Sequence, residues 1–251
     1  MSVTPVLRSI IAFARREVGA VAVLLGLAVL LNAFIFLADE VVEGETNHLD
    51  RAVLTALRVP GRPHQPIGPQ WLDVAARDFT ALGSIAVLAT FVLLVAGLFF
   101  GLRRLREGLL LIAAGGGGIA VSQLVKGWVG RERPDLVFRA VEAANPSFPS
   151  GHAMLSAVVF LSLGALSARF ASSRRVKTYV MAAAVLLTLL VGVTRIYLGV
   201  HWLTDVLAGW SLGSAWALLF WLVEWAWERR TGDPRARNGA SGTAPDGGAS
   251  G

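Results

Sequence analysis

The sequence predicts an all-α polytopic membrane protein with six transmembrane helices, on three observations. Apolar residues make up 55% of the chain and charged residues only 16%, where a soluble domain carries about a quarter charged. The apolar residues fall in long runs, the pattern of membrane spans rather than of a soluble core. Lys and Arg gather in short segments between those runs, where they orient a membrane protein.

The first run, 18–38, follows Arg15 and Arg16. It is too long for the roughly 7–15-residue apolar region of a signal peptide and is expected to remain as an anchor. Residues 1–17 then form an N-terminal segment. From 39 to about 80 comes a long connection, acidic at its start (Asp39, Glu40, Glu43, Glu45) and containing Pro60, Pro63, Pro66 and Pro69. A short interfacial helix is expected within it, near 50–57. Five further runs, at 81–102, 108–125, 153–168, 179–193 and 206–225, each supply most or all of the roughly 20 residues that cross a bilayer core. Each must be helical, because lipid offers no partner to an open strand.

The third run contains four consecutive glycines, Gly115 to Gly118. They lack the Gly-Lys-Ser/Thr ending of a phosphate-binding loop, and they read as small residues for close helix packing. Trp221, Trp225 and Trp227 suit an interfacial belt. The membrane domain is thus expected over 18–230. Residues 231–251, rich in Gly, Ala and Ser, read as a disordered tail.

Orientation follows from the basic segments. Arg8, Arg15 and Arg16, then Arg103, Arg104 and Arg106, then Arg169, Arg174, Arg175 and Lys177, then Arg229, Arg230, Arg235 and Arg237 all fall on one side of a six-span chain. The positive-inside rule makes that side cytoplasmic. Both termini are expected inside the cell membrane, and the connections at 39–80, 126–151 and 195–205 outside. Loops as long as the first two are usually functional or disordered.

The net charge of +6 is accounted for by these orienting segments, so no nucleic-acid partner is expected. With no cysteine in the chain, disulfide and thiolate chemistry are excluded. His48, His64, His152 and His201 are too few and scattered for a metal cluster, and neither metal nor cofactor is expected.

Three clusters share the outer side. Lys126, Arg131, Arg133 and Pro134 follow the third span. Pro149, Ser150, Gly151 and His152 precede the fourth. Arg195, His201 and Asp205 bridge the fifth and sixth. Singly, each has an ordinary explanation: a snorkelling cation, a turn and helix cap, an i, i+4 pair on one helix face. Together they bring cations, two histidines and a carboxylate to one side of one membrane, and ionisable groups there are functional candidates.

Phosphoryl transfer accounts for the set, since it depends on positioning and on stabilising charge over several oxygens. Lys126, Arg133 and Arg195 can supply that charge. A helix beginning near Gly151 would point its free N–H groups at the same anion, and Ser150 can add a hydroxyl. One neutral imidazole can attack phosphorus while a protonated one serves the leaving oxygen. Asp205, one turn after His201, is placed to hold Nδ1–H and present Nε2. His201 is therefore the expected nucleophile and His152 the expected acid.

The pattern Lys-x6-Arg-Pro, Pro-Ser-Gly-His and Arg-x5-His-x3-Asp resembles the three signatures of the type 2 phosphatidic acid phosphatase superfamily, which includes bacterial phosphatidylglycerophosphate and undecaprenyl-diphosphate phosphatases. Thr194 stands where the family often has Ser. The resemblance implies a helical core and metal-independent hydrolysis through a phosphohistidine. By motif position it gives phosphate binding to Lys126, Arg133 and Arg195 with Ser150 and Gly151, acid catalysis to His152, attack to His201, and its support to Asp205. Arg131 is not fixed by the pattern and reads as a phosphate or headgroup contact. The expected substrate is a membrane lipid phosphate or diphosphate: undecaprenyl diphosphate, phosphatidic acid or phosphatidylglycerophosphate. A transporter or flippase for phosphorylated lipids is the alternative, and a silent scaffold a third reading. The sequence sets no oligomeric state.

Overall fold

The computed structural model describes residues 3–141 and 145–231, so the tail expected at 231–251 lies, beyond its first residue, outside the described residues. Among the described residues the chain forms eight α-helices, one short hairpin and one 3-10 turn. In chain order these are α1 (Val3–Glu43), α2 (Asn47–Ala56), β1 (Arg58–Val59), β2 (Arg62–Pro66), α3 (Gln70–Ala81), α4 (Ile85–Gly101), α5 (Leu105–Val129), the 3-10 turn (Leu136–Phe138), α6 (Gly151–Phe170), α7 (Arg174–Tyr197) and α8 (Leu203–Thr231).

All six expected spans are present. Val18–Glu43 of α1, together with α5, α6, α7 and α8, are long and apolar enough to cross a bilayer. For the sixth, the 17-residue α4 is long and apolar enough only together with α3, which it meets at a 49° bend. The run at 81–102 is therefore interrupted: α3 ends at Ala81, and α4 starts afresh behind Ser84, whose side chain accepts from the Val87 amide at 3.4 Å. Other helices outrun their apolar stretches. Ser173 caps α7 by accepting from Val176 N at 3.3 Å, so Arg174, Arg175 and Lys177 lie within its first turns. Gly130, left-handed at φ +62°, closes α5 by donating to the Lys126 carbonyl.

The connection at 39–80 is more ordered than expected. Besides α2, a helix close to the stretch 50–57 where one was expected, it holds the β1–β2 hairpin and α3. Helix α3 is two-faced: Trp71, Val74 and Phe79 are exposed while Ala76 and Thr80 are buried. Asp73, Arg77 and Asp78 interrupt its apolar residues, so no long apolar run marks it in the sequence. Arg58 ties this layer down, donating to the carbonyls of Tyr197 (3.0 Å) and Phe138 (2.9 Å).

Helix α6 is the axis of the bundle. It packs along both α7 and α8, while α1 lies on α8 and α4 on α5. Its residues Leu155, Val159 and Phe160 join Leu88, Val92, Leu111, Ala184 and Val191 in the main core cluster. The α6–α8 contact depends on Gly209 and Gly213, four residues apart. A Cβ on Gly209 would stand 2.8 Å from the Ser150 carbonyl oxygen, and one on Gly213 would collide with that of Met154. This small-xxx-small pairing draws the start of α6 against the start of α8. Three glycines of the α5 run lie close to neighbouring side chains: an added Cβ would stand 3.4 Å from Val92 at Gly115, 2.7 Å from the Trp216 ring at Gly117 and 3.3 Å from Val158 at Gly118. Leu93, Leu94 and Leu98 of α4 and Leu186 of α7 remain exposed, the arrangement of helices that face lipid.

Candidate active site

The end of α5, the start of α6, the end of α7 and the start of α8 meet at one end of the bundle, and each delivers one sequence cluster. Lys126, in the last turn of α5, donates to the Pro146 carbonyl at 2.6 Å. Arg133 donates from Nε to the Asn145 carbonyl (2.6 Å) and from one terminal nitrogen to the Val200 carbonyl (2.7 Å). That same nitrogen lies 3.1 Å from Nε2 of His201.

This contact sets the imidazole tautomer. An arginine N–H can only donate, so Nε2 carries the lone pair and Nδ1 the proton. Nδ1 faces Oδ2 of Asp205 and Oγ of Ser147, each at 3.3 Å. His201 is thus held with Nδ1–H towards a carboxylate and Nε2 towards the cations. It lies in the link between α7 and α8 and is 1% exposed. Burial, aided by the charges of Arg133 and Arg195 and opposed by Asp205, pushes its imidazole down to about 3. The buried ring is neutral.

Asp205 is fully buried and its carboxylate is saturated. Oδ1 accepts from Arg131 at 2.7 Å, while Oδ2 accepts from the Trp202 amide at 2.9 Å and from the Ser147 hydroxyl. Its main-chain carbonyl accepts from the Ser150 amide at 2.9 Å, locking α8 to α6. The Ser150 hydroxyl caps α6, accepting from Ala153 N at 3.5 Å, which leaves its own proton to donate. Beyond it the amides of Gly151 and His152 sit in the open first turn, where helices lack internal partners.

Arg195 ends α7, 5% exposed. One terminal nitrogen donates to Thr80 Oγ1 at 2.9 Å, while its buried Nε has no partner. A guanidinium offers several N–H donors in a planar fork, a geometry suited to phosphoryl oxygens. A Cβ on Gly151, the residue before His152, would stand 3.7 Å from Cε of Lys126, so the start of α6 lies against the end of α5. His152 itself packs on the α3–α4 bend: a Cβ at Gly83 would stand 3.2 Å from its Cβ and its ring.

The structure therefore brings together Lys126, Arg133, Ser150, Gly151, His152, Arg195, His201 and Asp205. It reassigns Arg131. Instead of facing a headgroup, its guanidinium joins Asp205 to Asp50 (2.6 Å) and meets Thr204 (2.8 Å) and Thr46 (3.3 Å). Two buried carboxylates hold that charge more firmly than solvent would. The sequence reading missed Ser147, Asp50, Thr204 and Thr80. Each is a common polar residue outside the motif positions, and only Asp50, in an expected interfacial helix, carried a charge that could have signalled it.

A family model, that of the PAP2 superfamily, matches residues 107–229. The chain is 33% identical over 195 residues to phosphatidylglycerophosphatase B of Bacillus subtilis (strain 168), covering 76% of this chain and 89% of that protein. It is 38% identical over 68 residues to an undecaprenyl-diphosphatase of Sulfolobus acidocaldarius, covering 27% and 29% of the two chains. Among solved structures, the transmembrane PAP2-type phosphatidylglycerolphosphate phosphatase of Bacillus subtilis superposes with a TM-score of 0.72 at 31% identity. That superposition covers 83% of this chain and 98% of the other.

Proposed function

We propose, for a chain that belongs to the PAP2 superfamily and is a multi-pass membrane lipid phosphatase, that hydrolysis runs through a phosphohistidine on the non-cytoplasmic face. The observation that carries this is the state of His201: Nδ1–H on Asp205, Nε2 against Arg133, and a neutral ring.

The phosphoryl group binds among Lys126, Arg133 and Arg195, with the open first turn of α6 as a further donor set. Nε2 of His201 attacks phosphorus. The bond from phosphorus to the lipid oxygen breaks, and His152 passes a proton to that oxygen. His152, now neutral, takes a proton from water as the water attacks phosphorus. The P–N bond breaks, and phosphate leaves with His201 free. Asp205 holds Nδ1–H throughout and stabilises positive charge on the ring.

An outward-facing site follows from the basic segments at the other end of the bundle. Arg103, Arg104 and Arg106 precede or open α5, and Arg174, Arg175 and Lys177 open α7. On this reading both termini lie inside the cell. For the lipid tail, an apolar cavity of about 180 Å³ lies between α4, α5 and α6, lined by Leu88, Ile119, Leu155 and Val159. Leu155 is one turn along α6 from His152. Phosphatidylglycerophosphate and undecaprenyl diphosphate, the compounds named for the relatives, are the first candidates, with phosphatidic acid third.

The test is phosphate release by the purified protein in detergent across those lipids, with EDTA present throughout. Release that EDTA leaves intact, lost on His201→Ala, is the expected result. Wild-type turnover by His201→Ala rules out attack by His201. A soluble sugar phosphate hydrolysed faster than any of the lipids overturns the substrate class.

A further inference from the structure

The catalytic carboxylate has a neighbour that the sequence motifs do not include. Asp50 is 1% exposed, in the first turn of α2, outside the stretch 107–229 that matches the family. Its Oδ1 accepts from the Thr204 amide at 3.0 Å. Its Oδ2 accepts from the Thr204 hydroxyl and from Arg131, both at 2.6 Å. Thr204 immediately precedes Asp205 in the first turn of α8. Asp50 therefore caps α8 from another helix, as an acceptor for a free first-turn amide and a negative charge at the helix's positive end.

Arg131 lies between the two carboxylates, giving one terminal nitrogen to Asp50 and the other to Asp205. Such a fork fixes direction as well as distance. With Oδ1 of Asp205 held by Arg131, Oδ2 is left to Ser147, Trp202 N and His201. We infer that Asp50 is a positioning residue for the reaction, acting through Arg131 and Thr204 to hold Asp205 in register with His201.

Without the Asp50 charge, the full guanidinium charge of Arg131 falls on Asp205. The carboxylate is drawn from the imidazole, and the positive ring formed during attack loses support. None of the phosphate-binding groups, Lys126, Arg133 and Arg195, bonds to Asp50. The effect therefore belongs in turnover and not in binding.

This inference rests on the proposed role of His201, so both are tested in one assay: lipid phosphate release in detergent by the full chain, measured as kcat and KM. Asp50→Asn, which keeps the shape and removes the charge, is expected to lower kcat by about tenfold or more with KM within about threefold. In an Asp205→Asn background the same change is expected to cost no more than about twofold, because coupled residues are not additive. If Asp50→Asn does not fold, Arg131→Lys serves instead: it keeps the charge but cannot fork between two carboxylates, and the same kcat loss is expected. An unchanged kcat in either folded variant overturns the inference, as do equal losses in both backgrounds or a rise in KM that carries the effect. His201→Ala separates the two claims. If it is inactive while Asp50→Asn is fully active, only this inference falls. If it is active, the histidine mechanism falls and this inference with it.

Discussion

The imidazole of His201 is oriented by neighbours drawn from three stretches of chain: Asp205 in its own helix-turn, Ser147 ahead of α6 and Arg133 behind α5. Each has a separable effect. Ser147 donates to the Asp205 oxygen that also faces Nδ1; Ser147→Ala frees that oxygen to turn and is expected to lower kcat by about tenfold while KM holds. Thr80 accepts from Arg195, so Thr80→Val strands a second buried guanidinium N–H and is expected to raise KM several-fold, read by the same lipid assay. Burial of His201 also has a signature in stability. The folded ring titrates at about 3, the unfolded one near 6.5. Between these values the unfolded chain binds a proton that the folded chain refuses, so the stabilisation is complete above about pH 6.5 and is lost progressively as pH falls towards 3. Thermal unfolding in detergent is expected to drop over that window, and less steeply for His201→Asn; equal slopes would show that the ring is not the group responsible.

At the scale of elements, close approach decides where the site forms. Gly209 and Gly213 let α8 reach the backbone of α6, and that contact sets Ser150 against Asp205. In α5, Gly118 leaves room only for the side chains of Val158 and Leu155. Gly118→Leu is expected to cost about 1–3 kcal/mol by overpacking, seen as a lower unfolding temperature in detergent, whereas Gly116→Leu, with nothing near its Cβ, should be tolerated. The six spans, the α2 helix and the packing role of the glycine run were legible in the sequence, because apolar runs of about 20 residues and clusters of small residues are local signals. The hairpin and α3 were not. Their residues are mixed in polarity, and they hold their shape through distant partners: Arg58 on the Tyr197 carbonyl, and Arg77 on that of Ala140 at 2.7 Å. The same distinction runs through the site. Lys126, Arg133, His152, Arg195, His201 and Asp205 stood out by charge and spacing, while Asp50, Ser147, Thr80 and Thr204 count only through partners that chain folding supplies. Arg131 was visible as a cation, but its two carboxylates were not visible as its partners.

For the whole molecule, the claim to be tested is sidedness. Because the chain has no cysteine, single cysteines can be placed without first removing others. Gln65, exposed in the hairpin, and Ser172, exposed between α6 and α7, lie at opposite ends of the bundle. A membrane-impermeant maleimide applied to intact cells is expected to label Gln65→Cys and to leave Ser172→Cys unlabelled until the membrane is opened. The reverse pattern would put the phosphate site on the cytoplasmic face. The α3–α4 bend carries a consequence for how this chemistry can be moved between proteins. Every signature residue falls at or after Lys126, yet Thr80 and Gly83, against Arg195 and His152, belong to that bend. A gene fragment spanning only 105–231 would encode all the recognisable motifs and leave Arg195 and His152 without the wall they lean on. The motif-bearing half is thus not an autonomous unit, and grafts or chimaeras that keep activity will be those whose junctions fall ahead of α2.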